Sequence, residues 1–404
     1  MFQNALKGIR VADFSWIWAG PYAASLLAYM GAEVIKIESR SRIDQTRKGT
    51  IMDTDNFDGL NYSPTFNNAN LNKKGVSLDI STPEGSTLAK KIVAECDIVI
   101  SNMRPGKMEK LGLGYEDLKK VKPDIIMIES SGFGGTGPYR AYAGFAPIFA
   151  SFGGLAYVTG YEDGEPNVMS GVQDLRVGTL SAFITLTALV HRQKTGEGQY
   201  IDLSSSECMS TLIGPELMEY TMNGRNARRN GNQDAIMAPH NVYRCKGDDK
   251  WISVAVGTNA EWKALYVAMG NPEWCRKAEY EDAFGRHADR HQIDKKIGEW
   301  TVNFEPEELM EKLQAVGVAA MPSFDAEEIL TNPHTKARGL FTTVQHPKIG
   351  DQVVMGPAWK LSETPARITK AGPLMGENNE EIFCGLLKMP KDRFEKLKEE
   401  KIIY

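Results

Sequence analysis

Apolar residues in the first half of the chain fall into short runs, and stretches with helical spacing alternate with them. GIRVADFS from Gly8 reads as a strand. AGPYAASLLAYMG from Ala19 reads as a helix stopped by Gly31, and AEVIKIES from Ala32 as the next strand. STPEGSTLAKKIVAECD from Ser81 opens with capping residues and repeats its apolar positions at helical intervals. CDIVISN, DIIMIESS and GQYIDLSS add three further strands, and LRVGTLSAFITLTALVHRQKTG from Leu175 is a long helix with an apolar centre. Strand and helix in alternation predict an α/β, Rossmann-like parallel sheet covered by helices on both faces. Beyond about Glu216 the pattern changes. GRNARRNGNQ is polar and turn-rich, and NVYRC, WISVAV and charged helices then predict a smaller α+β domain. Strand patterns return after Gly339, followed by charged helices from about Asn378 and Lys391.

Composition narrows the functional classes. With 404 residues, 42% of them hydrophobic, the chain is long enough for a large core and a second domain. A net charge of -5 without a strongly basic block argues against nucleic acid as a partner. The five cysteines are scattered with no C-x-x-C pair, so neither a zinc ribbon nor a disulfide framework is indicated. The start, MFQNALKGIRVADF, has no apolar run behind basic residues, which points to the cytoplasm. The uncharged stretch from Ala141 to Tyr161 is broken by glycine and proline, and reads as a buried segment near a binding site rather than a membrane span.

Several motifs carry less chemistry than they first suggest. GFGGTG at Gly132–Gly137 matches G-x-G-x-x-G, yet PYRAY follows it where a dinucleotide site needs a helix. A flexible glycine loop beside a ligand is the better reading. His287 and His291 stand four apart, but Ala288 follows where H-E-x-x-H would need its glutamate. Ser204–Ser206 lack the glycines of a nucleophile elbow and are expected to cap a helix. Basic residues follow several strands: Arg40 and Arg42, Lys73 and Lys74, Arg104, then Lys107 and Lys110. Loops at the carboxyl ends of parallel strands gather at one edge, where a phosphate-bearing ligand could be held. Spacing alone leaves an unrelated solvated surface equally open. Asp174, just before the long helix, reads by itself as an N-cap; the same place favours an ionised carboxylate, and Gly178 one turn on permits a close approach.

These residues lie in a larger pattern. GIRVADFSWIWAGPYAASLLAYMGAEVIKIE resembles the N-terminal signature of the family III CoA-transferases. The resemblance continues in order through NLNKKGVSLDISTPEG, DIVISNMRPGKMEKLGLGYEDL, SSGFGGTGPY, TGEGQYIDLS, VYRCKGDDKWISVAVGT, NPHTKARGLF and PLMGENNEEI. It implies that Asp174 is the covalent carboxylate nucleophile. It also implies that CoA is held by Arg40, Lys73, Asn102, Met103, Arg104 and Lys110, with the arginine after VIKIE one position off the family's. Ile17, Trp18 and Phe145 fall where the family lines its acyl pocket. Coenzyme A is implied as co-substrate, with no metal and no other cofactor.

The departures from the family refine this picture. Formyl-CoA transferase has glutamine where Trp18 stands, and its tetraglycine loop has no counterpart nearer than NGNQ at Asn230. The WIW sequence suggests a pocket for a bulky or aromatic acid, as in benzylsuccinate and phenyllactate CoA-transferases. Racemases of the same fold carry a histidine in a G-H-D motif where this chain has Gly144, Phe145 and Ala146, so the proton carrier is missing. A non-catalytic subunit of a heteromer is the alternative from another class. The family's architecture further implies an interlinked dimer, as a homodimer or with a paralogous chain, and no membrane. It implies a large domain over 1–203, a linker over 204–225, a small domain over 226–325, a second linker over 326–340, and a return segment over 341–404 that completes the large domain.

Overall fold

The computed structural model describes residues 4–48 and 59–404. The described chain forms two compact units. The first comprises residues up to 156, residues 168–224 and residues 334–404; the second comprises 157–167 and 225–333. The stretch 204–225, expected as a linker, is helical over Ser205–Ser210 and Gly214–Asn223 and belongs to the first unit. Residues 326–340, the other expected linker, contain the helices Ala326–Thr331 and Pro333–Ala337.

The first unit is built on six parallel strands: β1 (Arg10–Asp13), β2 (Glu33–Glu38), β3 (Lys74–Ser77), β4 (Ile98–Ser101), β5 (Ile126–Ser131) and β6 (Tyr200–Ser204), in the order β3-β2-β1-β4-β5-β6. IVIS in β4 and IMIESS in β5 are buried at every position, as expected for parallel strands covered on both faces. β3 is short, contains Gly75, and was not legible as a strand. The return segment covers this edge. Asn378 accepts from the Gly75 amide at 2.9 Å, Asn379 accepts from the Ser77 amide at 2.9 Å, and Ile403 bridges to Leu78. Phe383, Phe394, Leu397 and Ile403 then pack in one core with Ile35, Val76, Leu88 and Val99. An otherwise open strand edge is closed in this way. The return also supplies the antiparallel hairpin of β10 (Phe341–His346) and β11 (Gly350–Met355).

The second unit carries the antiparallel sheet β7 (His240–Arg244), β8 (Trp251–Ala255) and β9 (Ala319–Pro322). Its core includes Tyr243, Ile252, Trp262, Ile293 and Leu313. His287 ends the helix Ala283–Ala288, and the chain starts a new helix at Arg290, so the two histidines do not share one continuous helix face.

Candidate active site

Sheet order reverses between β1 and β4, and the loops that follow these two strands meet at that point. Ligands of open α/β sheets bind in such a crevice. Asn102 clamps the loop after β1: its carbonyl accepts from the Trp16 amide at 2.9 Å, and its amide donates to the Trp16 carbonyl at 2.7 Å. Ile17 has a φ of +66°, in the left-handed region that a β-branched residue rarely adopts. Its amide is held by both oxygens of Asp44 at 3.1 Å. Asp44 is in turn fixed by the Thr46 amide and hydroxyl, and the buried ammonium of Lys36 lies 3.9 Å away and donates to the Ser15 carbonyl. Strain at a site persists only where its surroundings over-determine it. The Asp44 carboxylate supplies that determination here.

The helix Ala19–Tyr29 starts directly after this loop, and the long helix Val172–Thr195 packs on it. Gly178 makes the contact possible: a Cβ there would stand 2.7 Å from the Ala19 carbonyl oxygen. The long helix begins three residues earlier than the sequence pattern predicts, with Gly171 as its N-cap in the left-handed conformation. Asp174 therefore lies inside the first turn and does not cap it. Its carboxylate has no hydrogen-bond or ion-pair partner among the described residues, and burial raises its pKa above the usual carboxylate range. A carboxylate that is poorly solvated yet close to helix amides keeps its nucleophilicity.

Seven of the expected site residues line one cleft with about 730 Å³ of open space. Ile17 and Trp18 come from the loop after β1, and Asn102, Met103 and Arg104 from the loop after β4; Phe145 and Asp174 complete the set. Among the described residues, Asp174 is the single carboxylate in this lining. Trp16, Ile17, Met103, Arg104 and Phe145 also line an adjoining lobe, which continues to Arg42 and Lys107.

Three expected CoA ligands lie elsewhere. Lys73 is fully buried, and its ammonium donates to Asp13 at 2.8 Å, to the Pro21 carbonyl at 2.8 Å and to Asn70 at 2.9 Å. All three of its protons are used, so it has none left for a phosphate. Burial pulls its pKa down to about 8, with Asp13 opposing the fall. Burial acts to raise Asp13, but the ammonium groups of Lys73 and Lys36 outweigh it and hold that carboxyl below its ordinary value. Arg40 places its guanidinium 5.3 Å from the Tyr404 ring and lines a recess outside the Asp174 cleft. Lys110 is exposed on the short helix Lys107–Lys110 but lines neither lobe.

Arg42 and Lys107, which the sequence reading grouped with the basic residues after the strands but not with the CoA ligands, line the adjoining lobe instead. Arg42 stacks over Trp16 at 4.1 Å. WIW was legible as an aromatic wall, but the pairing of its first ring with an arginine depends on loop shape. The glycine loop reaches the cleft through Gly132. The Gly135 amide donates to Asp202 at 2.8 Å and is not free to stabilise an oxyanion, and Gly132 is required because a Cβ there would stand 2.5 Å from the Phe149 ring. Ser204 caps the helix Ser205–Ser210 through the Glu207 amide, as expected.

Glu129, on β5, is nearly enclosed and accepts from the Tyr200 hydroxyl at 2.9 Å, while its second oxygen has no partner. Burial raises its pKa from 4.5 to about 7, against the Tyr200 hydrogen bond. Between those values the folded state binds more protons than the unfolded one, so stability declines as pH rises across the window and levels off above it. Glu129→Gln should remove that slope and add on the order of 1–3 kcal/mol at pH 8. Urea unfolding at pH 5 and pH 8 checks this; parallel curves for the variant and the wild type at both pH values would refute it.

The cleft lies at the sheet's switch point, and Asp174, unpartnered among the described residues, stands in an aromatic and arginine-bearing wall where a carboxylate could act as a nucleophile. Residues 6–379 match the model of CoA-transferase family III. The chain is 34% identical, over 98% of each sequence, to the succinyl-CoA–D-citramalate CoA-transferase of Chloroflexus aurantiacus. It is 35% identical to the alpha subunit of that organism's succinyl-CoA–L-malate CoA-transferase, covering 99% of this chain and 93% of the relative. A crystal structure of a CaiB/BaiF family protein from Brucella suis superposes with a TM-score of 0.85 at 30% identity, covering 95% of this chain and all of that one. The chain belongs to CoA-transferase family III, and it is a CoA-transferase with coenzyme A as co-substrate. Among the described residues no group of three His, Cys, Asp or Glu side chains could hold a metal ion, and no helix is long and apolar enough to cross a membrane.

Proposed function

We propose that this chain moves CoA between short dicarboxylic acids, with Asp174 as the covalent nucleophile. The observation that carries the nucleophile is its position as the one carboxylate that the described residues give the cleft, half-buried and without a partner among them. It attacks the donor thioester carbonyl, the C–S bond breaks, and a mixed anhydride and CoA thiolate result. The thiolate then attacks the aspartyl carbonyl, releasing the donor acid and leaving an aspartyl-CoA thioester. The acceptor carboxylate displaces the thiolate to form a second anhydride. Attack of the thiolate on the acceptor's carbonyl gives the new thioester and restores Asp174. Arg42, Lys107 and Arg104 line the lobe away from Asp174, which suits the phosphate-bearing part of CoA. Asn102 and Met103 lie between the two ends. Ile17, Trp18 and Phe145 wall the acyl end.

The acid is the point of revision. An aromatic acid, suggested by WIW, has no counterpart in the names of the two Chloroflexus relatives, which carry succinyl, citramalate and malate. Arg104 and Arg140 line the cleft beside its aromatic residues, and either could meet the second carboxylate of a dicarboxylic acid. An exchange assay read by mass spectrometry tests the reading. Succinyl-CoA with malate or citramalate should give the new thioester at least tenfold faster than succinyl-CoA with phenyllactate or benzylsuccinate. The opposite order would sink it.

A further inference from the structure

We infer that Arg140 is the specificity-determining residue that receives the distal carboxylate of a dicarboxylic acyl group, an assignment that rests on the transfer reaction proposed above. Two arginines line the cleft with Asp174, and the adjoining lobe separates them. Arg104 belongs to both lobes, so it stands at the junction with the part of the cleft that Arg42 and Lys107 make cationic. Arg140 lines the Asp174 lobe alone.

The charge of Arg140 is uncommitted. Its guanidinium has no ion pair and no side-chain hydrogen bond among the described residues, whereas Arg42 is stacked on Trp16. Its segment is set by the Tyr139 and Tyr142 rings on either side, stacked on each other at 4.8 Å. A second polar group points to the same occupant. Ser131, 93% buried at the end of β5, lines this lobe, and its hydroxyl has no hydrogen-bond partner among the described residues. A carboxylate needs hydrogen-bond donors and a compensating charge when it leaves water. Guanidinium and hydroxyl together supply both. A monocarboxylic acyl group of the same length would leave them unmatched.

The test compares succinyl-CoA with butyryl-CoA, which has the same carbon chain without the distal carboxylate. Each is exchanged against its own isotopically labelled acid by wild type, Arg140→Gln and Arg140→Lys. Arg140 is exposed, and its side chain has no partner to lose, so both variants should melt with the wild type. Arg140→Gln should lower kcat/KM for succinyl exchange about 100-fold, mainly through KM, and change butyryl exchange less than about threefold. Arg140→Lys should lie between, since it keeps the charge and loses the fork. Equal losses on both acids, or no loss on either, would overturn the assignment while leaving the transferase reading intact. A wild type that exchanges butyrate and not succinate would overturn the dicarboxylate reading, and this inference with it. Exchange of neither acid would overturn both.

Discussion

Replacing Asp174 with alanine should lower the rate of CoA transfer by roughly four orders of magnitude, the usual scale for loss of a covalent nucleophile. Binding of the acyl-CoA donor should change little, because the contacts proposed for CoA lie in the lobe that Arg42 and Lys107 line. In the wild type, incubation with donor followed by hydroxylamine should convert Asp174 to its hydroxamate, which peptide mass spectrometry detects. The alanine variant should give no modified peptide at that position. Near-normal exchange by Asp174→Ala would refute covalent catalysis through this residue. Helix geometry alone would not produce such a loss. Asp174 makes no hydrogen bond within the described chain, and Gly171 is the N-cap, so stability should be nearly unchanged.

Lys73→Ala should act on the fold. The Lys73–Asp13 pair has no exposed side-chain surface on either partner, and removing one member strands the other's charge. A loss of about 3–5 kcal/mol is expected, and a melting temperature lower by on the order of 10 °C. A double replacement, Lys73→Met with Asp13→Asn, should cost less than Lys73→Ala, since no unpaired charge then remains. Thermal and urea unfolding check both. A Lys73→Ala enzyme that melts with the wild type and shows only a raised KM for the acyl-CoA would restore Lys73 as a surface ligand of CoA.

The contrast between these two residues shows what a sequence makes legible. Asp174 stood out because a long helix and an ordered series of blocks surround it, and the α/β plan followed from runs such as IVIS and IMIESS whose burial is uniform. Lys73 misled because it lies beside Lys74 in a polar loop sequence, which reads as surface. Lys74 bridges Glu33 and Glu381 near solvent, whereas Lys73 turns inward to Asp13, and no local pattern distinguishes the two. Arg40 and Arg42 pose the same problem two residues apart. Which of them reaches the cleft depends on how Asp44 fixes the turn after them and on which ring each meets. Ile17 lines the cleft, but its left-handed backbone follows from an acceptor 27 positions away. Local propensity opposes that conformation.

The return of residues 334–404 to the first unit has a consequence for synthesis. A ribosome releases the sheet strands β1 to β6 first, then residues 225–333 of the second unit, and only afterwards the residues that seal the β3 edge. The core of the second unit runs from Tyr243 to Ala320 and is contiguous, so it can close while the chain is still growing. The first unit must wait for Phe383, Phe394 and Ile403. Until they emerge, β3 offers unpaired backbone to any neighbouring chain on the polysome. The nascent enzyme is therefore most exposed to aggregation late in translation, after most of its residues have been made.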